Sequence, residues 1–407
     1  MSRAPHTSMP VRHPDQALEA LCARLPTAAI EQVPMRDAVG RVLAQAIHAD
    51  RDSPPCDVSS MDGYAVRIAD VAPGNTLSVP SEVATGQAPP PLALGAAMRI
   101  FTGGAVPPQA DCVVRREHVD ESNRDRVRID PGSPDLRPGA NIRRQAENVA
   151  EGQSVVEPGR VVTPAMVSAM ASFGVASVRM YRRVRLGVLV TGNEVRDPAS
   201  QPADHAVRDA NGPALRALAV RWPWVEVVQT KRVGDQPEKI QNDVAELLDG
   251  CDALWITGGV SMGDHDYVPG VLRRLGAEIV FHGLPVRPGK PILGALGPRG
   301  QAILGLPGNP VSALTMARRF GVKPLARLAG VATAPAPTAH VTLDPPDDQQ
   351  LHLWWYRHVV MQPDGRASIV ANRGSGDAPS VAASDGFVEQ PPGPVSPGPL
   401  PYWSGSV

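Results

Sequence analysis

Residues Asp252 to Ser312 decide the fold of this chain. They open with Ala253-Leu-Trp-Ile-Thr257, a short apolar run that is typical of a buried parallel strand. The run ends at the glycine-rich turn Gly258-Gly-Val-Ser-Met-Gly263, an acidic stretch Asp264-His-Asp266 follows, and a helix is predicted from Val268 to Leu275. Strand, glycine-rich turn and helix form the arrangement in which backbone N–H groups meet a bound anion.

Two further turns follow close behind this unit. They are Arg287-Pro-Gly-Lys-Pro291 and Leu306-Pro-Gly-Asn-Pro310, and the second leads directly into Val311-Ser312. Together with the first turn they predict a single pocket for phosphate and other oxyanions, with acidic residues inside it.

The first turn lacks the cation that a phosphate-binding loop needs. Gly258 and Gly263 have Walker A spacing, but Asp264 and His265 stand where that motif has Lys and Ser or Thr. Carboxylates repel phosphates unless a metal ion lies between them, and Mg²⁺ suits carboxylate, water and phosphate oxygens. The alternative is that Asp264 or Asp266 only caps the following helix.

The length, charge and cysteine content limit the classes of protein to which this chain can belong. A length of 407 residues predicts about two to four domains. The net charge of −1 provides no global basic field for nucleic acid or membranes. The four cysteines include no C-x-x-C pair, which argues against a disulfide framework and a zinc site. With no signal-like N-terminus and no apolar run of about 18 residues, a soluble cytoplasmic protein is expected.

Hydrophobic periodicity divides the chain into regions. Apolar residues at helical spacing predict amphipathic helices from Asp15 to Leu25 and from Met35 to Ile47. From Asp50 to Arg144, frequent Gly and Pro and short apolar runs such as Cys112–Arg115 predict an all-β insert. The predicted domains are a helical linking domain at 14–48 and 149–182, the β-rich insert at 49–148, an α/β domain at 183–333 and a small C-terminal β domain at 334–407.

Strands and helices alternate in the predicted α/β domain. After a helix from Thr163 to Gly174, the predicted strands are Val184–Thr191, Val225–Gln229, Ala253–Thr257, Ala277–Phe281 and Ala302–Leu306, and the predicted helices are Ala210–Val220, Pro237–Leu248, Val268–Leu275 and Pro310–Phe320. This alternation of strands and helices predicts a doubly wound, mostly parallel sheet. Ligands bind beyond the carboxyl ends of such strands. Glu194, the turn at 258–266 and the turn at 307–310 all fall there.

Two residues stand before predicted helices. Asp235 occupies an N-cap position with Glu238 three residues on, as in a capping box, so capping and a ligand role both stay open. Asn309 is the predicted N-cap of the helix that begins at Pro310.

Three polar stretches interrupt the β insert. They are Asp57–Ala65, Thr102–Gly104 and Asn141–Asn148. Taken singly, Asp62 before a glycine is better explained as a turn residue than as a ligand. Arg143 and Arg144, taken singly, are better explained as a solvated edge.

The C-terminal region returns to strand patterns. Leu353 to Val360 is predicted to be one two-faced strand, and its aromatic residues are interpreted as core because no basic groove accompanies them. The tail from Pro391 to Pro401 holds six prolines and is interpreted as a solvated polyproline-like segment.

Several motifs recur together in the order of a known family. They are Ser60-Met-Asp-Gly-Tyr-Ala65, Thr102-Gly103, Thr191-Gly-Asn-Glu194, Gly258 to Tyr267, Pro288-Gly-Lys-Pro291 and Leu306 to Ser312. Over residues 14–390 they resemble the MoeA family of molybdopterin molybdenumtransferases, which includes the E domain of gephyrin. The resemblance implies a molybdopterin-binding type of sheet domain, a C-terminal β-barrel and an elongated homodimer. Its active site would join the β insert of one protomer to the sheet domain of the other.

The resemblance also implies a reaction and a set of site residues. Adenylated molybdopterin and molybdate react, the pyrophosphate bond is cleaved, AMP leaves and molybdenum enters the dithiolene, with Mg²⁺ holding phosphate oxygens. The implied catalytic residues are Asp62, Thr102, Glu194, Asp235 and Asp266, of which Glu194, Asp235 and Asp266 also hold the metal. The implied binding residues are Arg143, Gly258, Gly259, Ser261, Gly263, Arg287, Lys290, Pro307, Pro310, Ser312 and Arg357.

The sequence departs from the family pattern at three positions. Asn148 and Asn193 stand where acidic residues are common, and Arg287 stands where Lys is frequent. Two alternatives stay open: a molybdopterin adenylyltransferase, against which the β insert and last domain argue, and a non-catalytic cofactor carrier or scaffold, which the two asparagines favour. The expected protein partners are the adenylyltransferase that supplies adenylated molybdopterin and the recipient molybdoenzymes.

Overall fold

Residues 13–263, 266–347, 349–393 and 398–405 are described by the computed structural model of the protein. They divide into two units, each with its own interior. Unit 1 comprises Met1–Gln45, Pro158–Val167 and Ser177–Val407, and unit 2 comprises Ala46–Glu157 and Ser168–Ala176. The four predicted domain boundaries stay a prediction.

The α-helices are short, and several have proline in the first turn, where its missing N–H costs nothing. Within the described ranges they are α1 (Pro14–Cys22), α2 (Pro164–Ser172), α3 (Asn211–Ala219), α4 (Pro237–Gly250), α5 (Val268–Arg274), α6 (Pro310–Met316), α7 (Val322–Leu328) and α8 (Ala378–Val381). A π-helical turn, Ala317–Gly321, joins α6 to α7. No helix of the described residues is both long and apolar enough to cross a membrane.

Strands make up most of the remaining regular structure. Those of the described residues are β1 (Ile30–Pro34), β2 (Ile47–His48), β3 (Val58–Ser59), β4 (Gly63–Val66), β5 (Leu77–Ser78), β6 (Glu82–Val83), β7 (Met98–Ile100), β8 (Cys112–Arg115), β9 (Val119–Asn123), β10 (Arg126–Ile129), β11 (Ile142–Arg143), β12 (Ser154–Val156), β13 (Ser177–Tyr181), β14 (Val184–Thr191), β15 (Val195–Arg196), β16 (Val207–Arg208), β17 (Val225–Val233), β18 (Ala253–Thr257), β19 (Glu278–His282), β20 (Val286–Arg287), β21 (Leu293–Leu296), β22 (Ala302–Leu306), β23 (Ala339–Val341), β24 (Trp354–Met361), β25 (Ala367–Ile369), β26 (Gly386–Gln390) and β27 (Leu400–Ser404).

The predicted doubly wound sheet is confirmed in unit 1. Its strand order is β17-β14-β18-β22-β21-β19, in which the first four strands are parallel and the last two run antiparallel to their neighbours. The predicted bounds of β14, β18 and β22 are those observed. Because both faces of these strands are covered, they are almost entirely apolar in the sequence, apart from the exposed Arg185 near the start of β14.

Helices cover both faces of this main sheet. On one face, Val188 and Trp255 pack with Leu215 of α3 in the largest hydrophobic core. On the other face, Leu254 packs with Val244 of α4 in a second core. Adjacent residues of β18 therefore point to opposite faces, as the alternation of a strand requires.

A second six-stranded sheet of unit 1 consists of β20 and five strands of the C-terminal region. Its order is β20-β24-β26-β27-β23, and β25 also pairs with β24. β24 is the two-faced strand that the sequence predicted. Trp354 and Tyr356 pack with the largest core, whereas Trp355 and Arg357 line a cleft.

The π-helical turn brings two consecutive arginines into the protein interior. The side chain of Arg319 donates to both carboxylate oxygens of Glu389, at 2.7 and 2.9 Å, and to Asp15 at 2.6 Å. Trp403 Nε1 also donates to Glu389, at 2.9 Å. Burial lowers the pKa of Arg319, but the hydrogen bond and charge of Glu389 outweigh it and leave that pKa raised. This network joins α1, the π-helical turn and the C-terminal sheet.

Unit 2 consists largely of short strands, as predicted for the β insert. Its sheets are β6-β7-β4-β8 and β5-β10-β9, with two-stranded pairs β11-β3 and β12-β2. Tyr64 and Val114 pack in one core of this unit, whereas Ala65 and Val113 pack in another. The β4–β8 ribbon is therefore buried on both faces.

The prediction of a helix from Met35 to Ile47 is wrong. The structure has a 3-10 turn at Met35–Asp37, then extended backbone in which Val42 bridges to Val161. Gly40 has a φ of +79°, a conformation that ends a right-handed helix. Ala38, Val42 and Leu43 of the predicted pattern are buried, the last two through isolated β-bridges, whereas Val39 is 49% exposed.

The interpretation of the proline-rich tail as solvated is also wrong for its last part. Residues 394–397 lie outside the described residues. Leu400–Ser404 forms β27, which lies between β26 and β23, and Trp403 is 4% exposed. Pro401, which has no N–H to donate, pairs only with His340 of β23, because the register of β27 with β26 begins at Tyr402.

Replacing Glu389 with Gln should destabilise the protein by about 3 kcal/mol, because Arg319 would remain buried without its full counter-charge. The free energy of unfolding from urea titration measures this loss. Glu278→Gln is the matched control, since Glu278 pairs with Arg24 at the exposed surface, where an ion pair contributes little. Equal losses in the two variants would contradict a structural role for the buried pair.

Candidate active site

The carboxyl edge of the main sheet carries polar residues from neighbouring strands. β14 is followed by Gly192-Asn193-Glu194, β17 by Gly234-Asp235, β18 by Gly258 and β22 by Pro307. These strands are parallel and adjacent, so their ends lie at one edge. The structure therefore places Glu194, Asp235 and the glycine-rich turn at the edge where the sequence predicted them.

Gly258 allows three strand ends to meet. Its φ is +90°, and a Cβ there would lie 2.6 Å from both the carbonyl and the hydroxyl oxygen of Thr191. Its N–H donates to the carbonyl of Leu306 at 3.1 Å. Thr191 is 4% exposed, and its hydroxyl has no hydrogen-bond partner within the described residues. The ends of β14, β18 and β22 are thus closely packed against one another, and the buried hydroxyl of Thr191 among them is unsatisfied.

Asn211 cross-links two of these strand ends, a role that the sequence did not predict. Its side-chain amide donates to Thr257 Oγ1 at 2.9 Å and to the carbonyl of Gly308 at 2.7 Å. Thr257 Oγ1 in turn donates to the carbonyl of Pro307 at 2.8 Å. The signal in the sequence was a polar pair, Asp209 and Asn211, at the start of an otherwise apolar helix.

Asp235 does not cap α4. Gln236 is the N-cap residue of that helix, and no side chain caps it. Asp235 Oδ2 instead accepts from the backbone N–H of Asn193 at 2.9 Å, and Asn193 Oδ1 accepts from the N–H of Asp235 at 3.0 Å. Asn193 therefore holds Asp235 beside Glu194 through two reciprocal hydrogen bonds.

Asp266 also does not cap the following helix. Tyr267 occupies the N-cap position of α5, and Asp266 Oδ2 accepts from the backbone N–H of Gly263 at 2.7 Å. Ser261 lies in the same turn and is exposed. Asp264, the other candidate cap or ligand, lies outside the described residues.

The three predicted metal ligands do not form a preassembled centre. Among the residues that the structure describes, no group of three or more His, Cys, Asp or Glu side chains is arranged to hold a metal ion. Hydrogen bonds occupy one carboxylate oxygen of Asp235 and one of Asp266. This donor set fits a hard cation that takes one or two carboxylates and completes its shell with water and phosphate oxygens.

A cleft of about 810 Å³ in unit 1 brings together most of the predicted oxyanion residues, but Ser261 and the rest of the glycine-rich turn do not line it. Arg287, Lys290, Pro307, Ser312 and Arg357 all line it. Pro307 also accepts the hydrogen bond from Thr257 at the sheet edge, so the cleft adjoins that edge. Pro310 does not line the cleft and instead begins α6.

Arg357 is the most firmly held cation of the cleft. It is 6% exposed, and its Nη2 donates to Asp347 Oδ2 at 2.6 Å. This hydrogen bond lowers the pKa of Asp347. The Trp355 ring contacts both Arg357 and Arg287, at ring-to-guanidinium distances of 4.1 and 5.5 Å. Neither Asp347 nor Trp355 was predicted at this site from the sequence.

Ser375 also lines the cleft, although it was not predicted from the sequence. Its Oγ accepts from Asn309 Nδ2 at 2.9 Å, and its carbonyl accepts from the N–H of Val311 at 3.1 Å. Asn309 therefore occupies the N-cap position of α6 but uses its side chain to anchor the segment around Ser375, rather than to cap the helix as predicted. The Gly374-Ser-Gly376 sequence was the available signal.

In unit 2, Asp62 and Thr102 contact each other directly. Asp62 Oδ1 accepts from the backbone N–H and the hydroxyl of Thr102, at 2.8 and 2.9 Å. These hydrogen bonds lower the pKa of Asp62, so the carboxylate is ionised at neutral pH. Asp62 lines a cleft of about 450 Å³, together with Arg115 and Arg116.

The polar stretch around Arg143 lies beside the other two polar stretches of unit 2. β11, which contains Arg143, pairs with β3, and the N–H of Ser59 in β3 donates to Gly104 at 2.9 Å. Arg143 Nη2 donates to the side-chain carbonyl of Asn148, and its Nε donates to Glu147 at 3.4 Å. Asn148 thus orients Arg143 without adding a negative charge.

Comparison with known proteins defines the class of this chain. The family described as "MoeA N-terminal region (domain I and II)" matches residues 12–174, and the family described as "Probable molybdopterin binding domain" matches residues 187–327. The crystal structure of the molybdopterin biosynthesis MoeA protein from Pyrococcus horikoshii OT3 superimposes with a TM-score of 0.79 and 26% identity, over 95% of this chain and 97% of that chain.

Curated relatives narrow the class further. The molybdopterin molybdenumtransferase of Synechococcus elongatus is 36% identical over 322 residues, which cover 76% of this chain and 78% of that protein. The protein of the same name from Nostoc sp. is 33% identical over 374 residues, which cover 88% and 84%. The chain belongs to the molybdopterin molybdenumtransferases, a family of transferase enzymes.

His358 is a buried neutral group of the cleft wall. Thr315 donates its hydroxyl proton to the carbonyl of Val311 at 2.6 Å, so its oxygen accepts from His358 Nε2–H at 3.2 Å. Burial lowers the pKa of His358 to about 4 from an ordinary value of 6.5. His358 therefore contributes no positive charge to the cleft at neutral pH.

The pKa of His358 predicts a loss of stability in acid. The unfolded chain binds a proton near pH 6.5 and the folded chain only near pH 4, so stability is complete above pH 6.5 and is lost as the pH falls towards 4. The loss from this group should reach about 3 kcal/mol. Urea titrations across this range should show a flatter pH dependence for His358→Gln, which keeps a donor for Thr315. An unchanged pH dependence would contradict the prediction.

Proposed function

We propose that this protein inserts molybdenum from molybdate into adenylated molybdopterin and releases AMP. The observation that carries the proposal is the cleft of Arg287, Lys290 and Arg357, which adjoins a sheet edge bearing Glu194 and Asp235. A site for an oxyanion thus lies next to a site for phosphate groups. The names of the relatives favour this activity over adenylation of molybdopterin and over a purely carrier role.

Molybdate binds in the cleft under this proposal. Guanidinium groups donate paired hydrogen bonds to oxyanions, and Arg287 and Arg357 both line the cleft. Lys290 adds a third positive charge, and Ser312 adds a buried hydroxyl. Gly289 has a φ of +101°, and any side chain there would collide with Met316, so the turn that carries Lys290 is fixed against α6.

The pyrophosphate of the substrate binds at the sheet edge. Gly258, Gly259, Ser261 and Gly263 form an open turn against which phosphate oxygens can approach, and the unsatisfied hydroxyl of Thr191 lies beneath it. Mg²⁺ held by Glu194, Asp235 or Asp266 would supply Lewis-acid polarisation of the phosphates. Asn193 orients Asp235, and Gly263 orients Asp266, through the hydrogen bonds described above.

Unit 2 contributes Asp62, Thr102 and Arg143 under the same proposal. Thr102 keeps Asp62 ionised, and Arg143 provides a cation that Asn148 orients. The resemblance to the family supports a homodimer in which these residues of one copy act on the substrate held by unit 1 of the other. A cytoplasmic location, the supplying adenylyltransferase and the recipient molybdoenzymes stay predictions.

Asp266→Asn should reduce AMP release from adenylated molybdopterin by at least about a hundredfold, measured with molybdate and Mg²⁺ present. The amide can still accept the hydrogen bond from Gly263, so the turn persists while the charge is lost. Asp249→Asn is the control, because Asp249 pairs with Arg299 before β18, at the other end of the strands. Unchanged release by Asp266→Asn would exclude its proposed role, and no release by the wild type would exclude the activity.

Co-expression of two inactive variants tests the dimeric site. If Asp62 of one copy acts with Asp266 of the other, a mixed dimer of Asp62→Ala and Asp266→Asn contains one intact site. Differently tagged copies purified in tandem should therefore regain AMP release. A tandem-purified dimer of two Asp266→Asn copies is the control. Absence of recovery in a verified mixed dimer would mean that both residues act within one copy.

A further inference from the structure

The Trp355 ring contacts both arginines of the cleft. The Arg357 guanidinium carbon is 4.1 Å from the ring centroid, and that of Arg287 is 5.5 Å away. Both distances are within the range of about 6 Å in which a cation is attracted to an aromatic ring. The parallel pairing of β20 with β24 places Arg287 opposite Trp355 in register. The contact therefore follows from strand pairing as well as from side-chain conformation.

The two arginines differ in how firmly they are held. Arg357 has Asp347 and Gln390 as hydrogen-bond partners, at 2.6 and 3.3 Å, and is buried. Arg287 is exposed, and within the described ranges its side chain contacts the Trp355 ring and has no hydrogen bond or ion pair. Like charges repel, so a cleft without the ring would favour an Arg287 that extends into solvent.

The charge of the cleft depends on whether Arg287 stays in place. Among the described lining residues, Arg287, Lys290 and Arg357 are positive and Asp347 is negative, so three cations and one anion leave a net charge of +2. His358 is neutral because burial lowers its pKa to about 4. A net charge of +2 matches a tetrahedral dianion. Withdrawal of Arg287 would leave a net charge of +1, which matches a monoanion.

We propose that Trp355 is a positioning residue that holds Arg287 at the cleft and thereby makes the site selective for tetrahedral dianions over tetrahedral monoanions. This inference rests on the proposed function, because it takes molybdate as the anion bound there. It adds a specificity role for an aromatic residue that itself contributes no charge and no hydrogen bond to the anion.

The test compares molybdate with perrhenate, a tetrahedral oxyanion that carries one charge instead of two. Equilibrium dialysis of the full-length protein at neutral pH, with metal analysis of both chambers, gives the two affinities. Trp355→Leu should weaken molybdate binding about tenfold, an effect within the range of cation–aromatic contacts. Perrhenate binding should change much less, so the ratio of the two affinities should fall.

Trp354→Leu is the matched control. Trp354 is the neighbouring residue of β24, but it contacts His13 and the largest core rather than the cleft. The substitution should leave the affinity ratio at the wild-type value. Trp355→Phe keeps an aromatic face for Arg287 and should therefore keep most of the molybdate affinity, although the smaller ring changes the packing.

A double-variant comparison separates positioning from packing. If Trp355 acts through Arg287, then Arg287→Gln should lower molybdate affinity, and Trp355→Leu should add little loss to it. Additive losses, or an unchanged affinity ratio in Trp355→Leu, would overturn the inference. Failure of the wild-type protein to bind molybdate would instead overturn the proposed oxyanion site.

Discussion

The buried ion pair of Arg319 and Glu389 is the interaction on which the arrangement of unit 1 depends. Its partners lie far apart in the sequence, one in the turn between α6 and α7 and the other in β26. Glu389 stands opposite Tyr356 in the pairing of β26 with β24. Fixing Glu389 therefore fixes β24, and with it the positions of Trp355 and Arg357 on the cleft side of the strand.

A charged anchor has a different effect from an apolar one. An apolar cluster of the same volume can stabilise a protein as well as a buried ion pair does. Apolar contacts are not directional, however, whereas the paired hydrogen bonds of an arginine and a carboxylate fix one relative orientation of the two side chains. The adjacent Arg318 reinforces this geometry. It lies near Trp222 and Trp403, and its Nε donates to the carbonyl of Ser404 at 3.0 Å. The π-helical turn makes this possible because it directs two consecutive arginines inward.

Sequence patterns predicted the strands and helices whose formation depends on residues close to one another in the sequence. β14 and β18 are largely apolar runs, and their observed bounds match the prediction. The helix predicted after Met35 failed because buried apolar residues at helical spacing can also arise in strands that tertiary pairing holds. Trp355 could not be assigned to the cleft for a related reason. Whether an aromatic residue faces a core or a ligand depends on the strand beside it, here β20, which lies far away in the sequence.

The strand order of the C-terminal sheet has a consequence for synthesis on the ribosome. β23 is the first strand of the sheet's β23–β27 portion to be made, yet its partner is β27, the last. Until β27 emerges, β23 has no strand to pair with, and Arg318 lacks both Trp403 and Ser404. Since chains fold progressively as they are made, the main sheet can form first. β27 is then added last, so a nascent chain has β23 unpaired and Arg318 without these two partners until β27 is available.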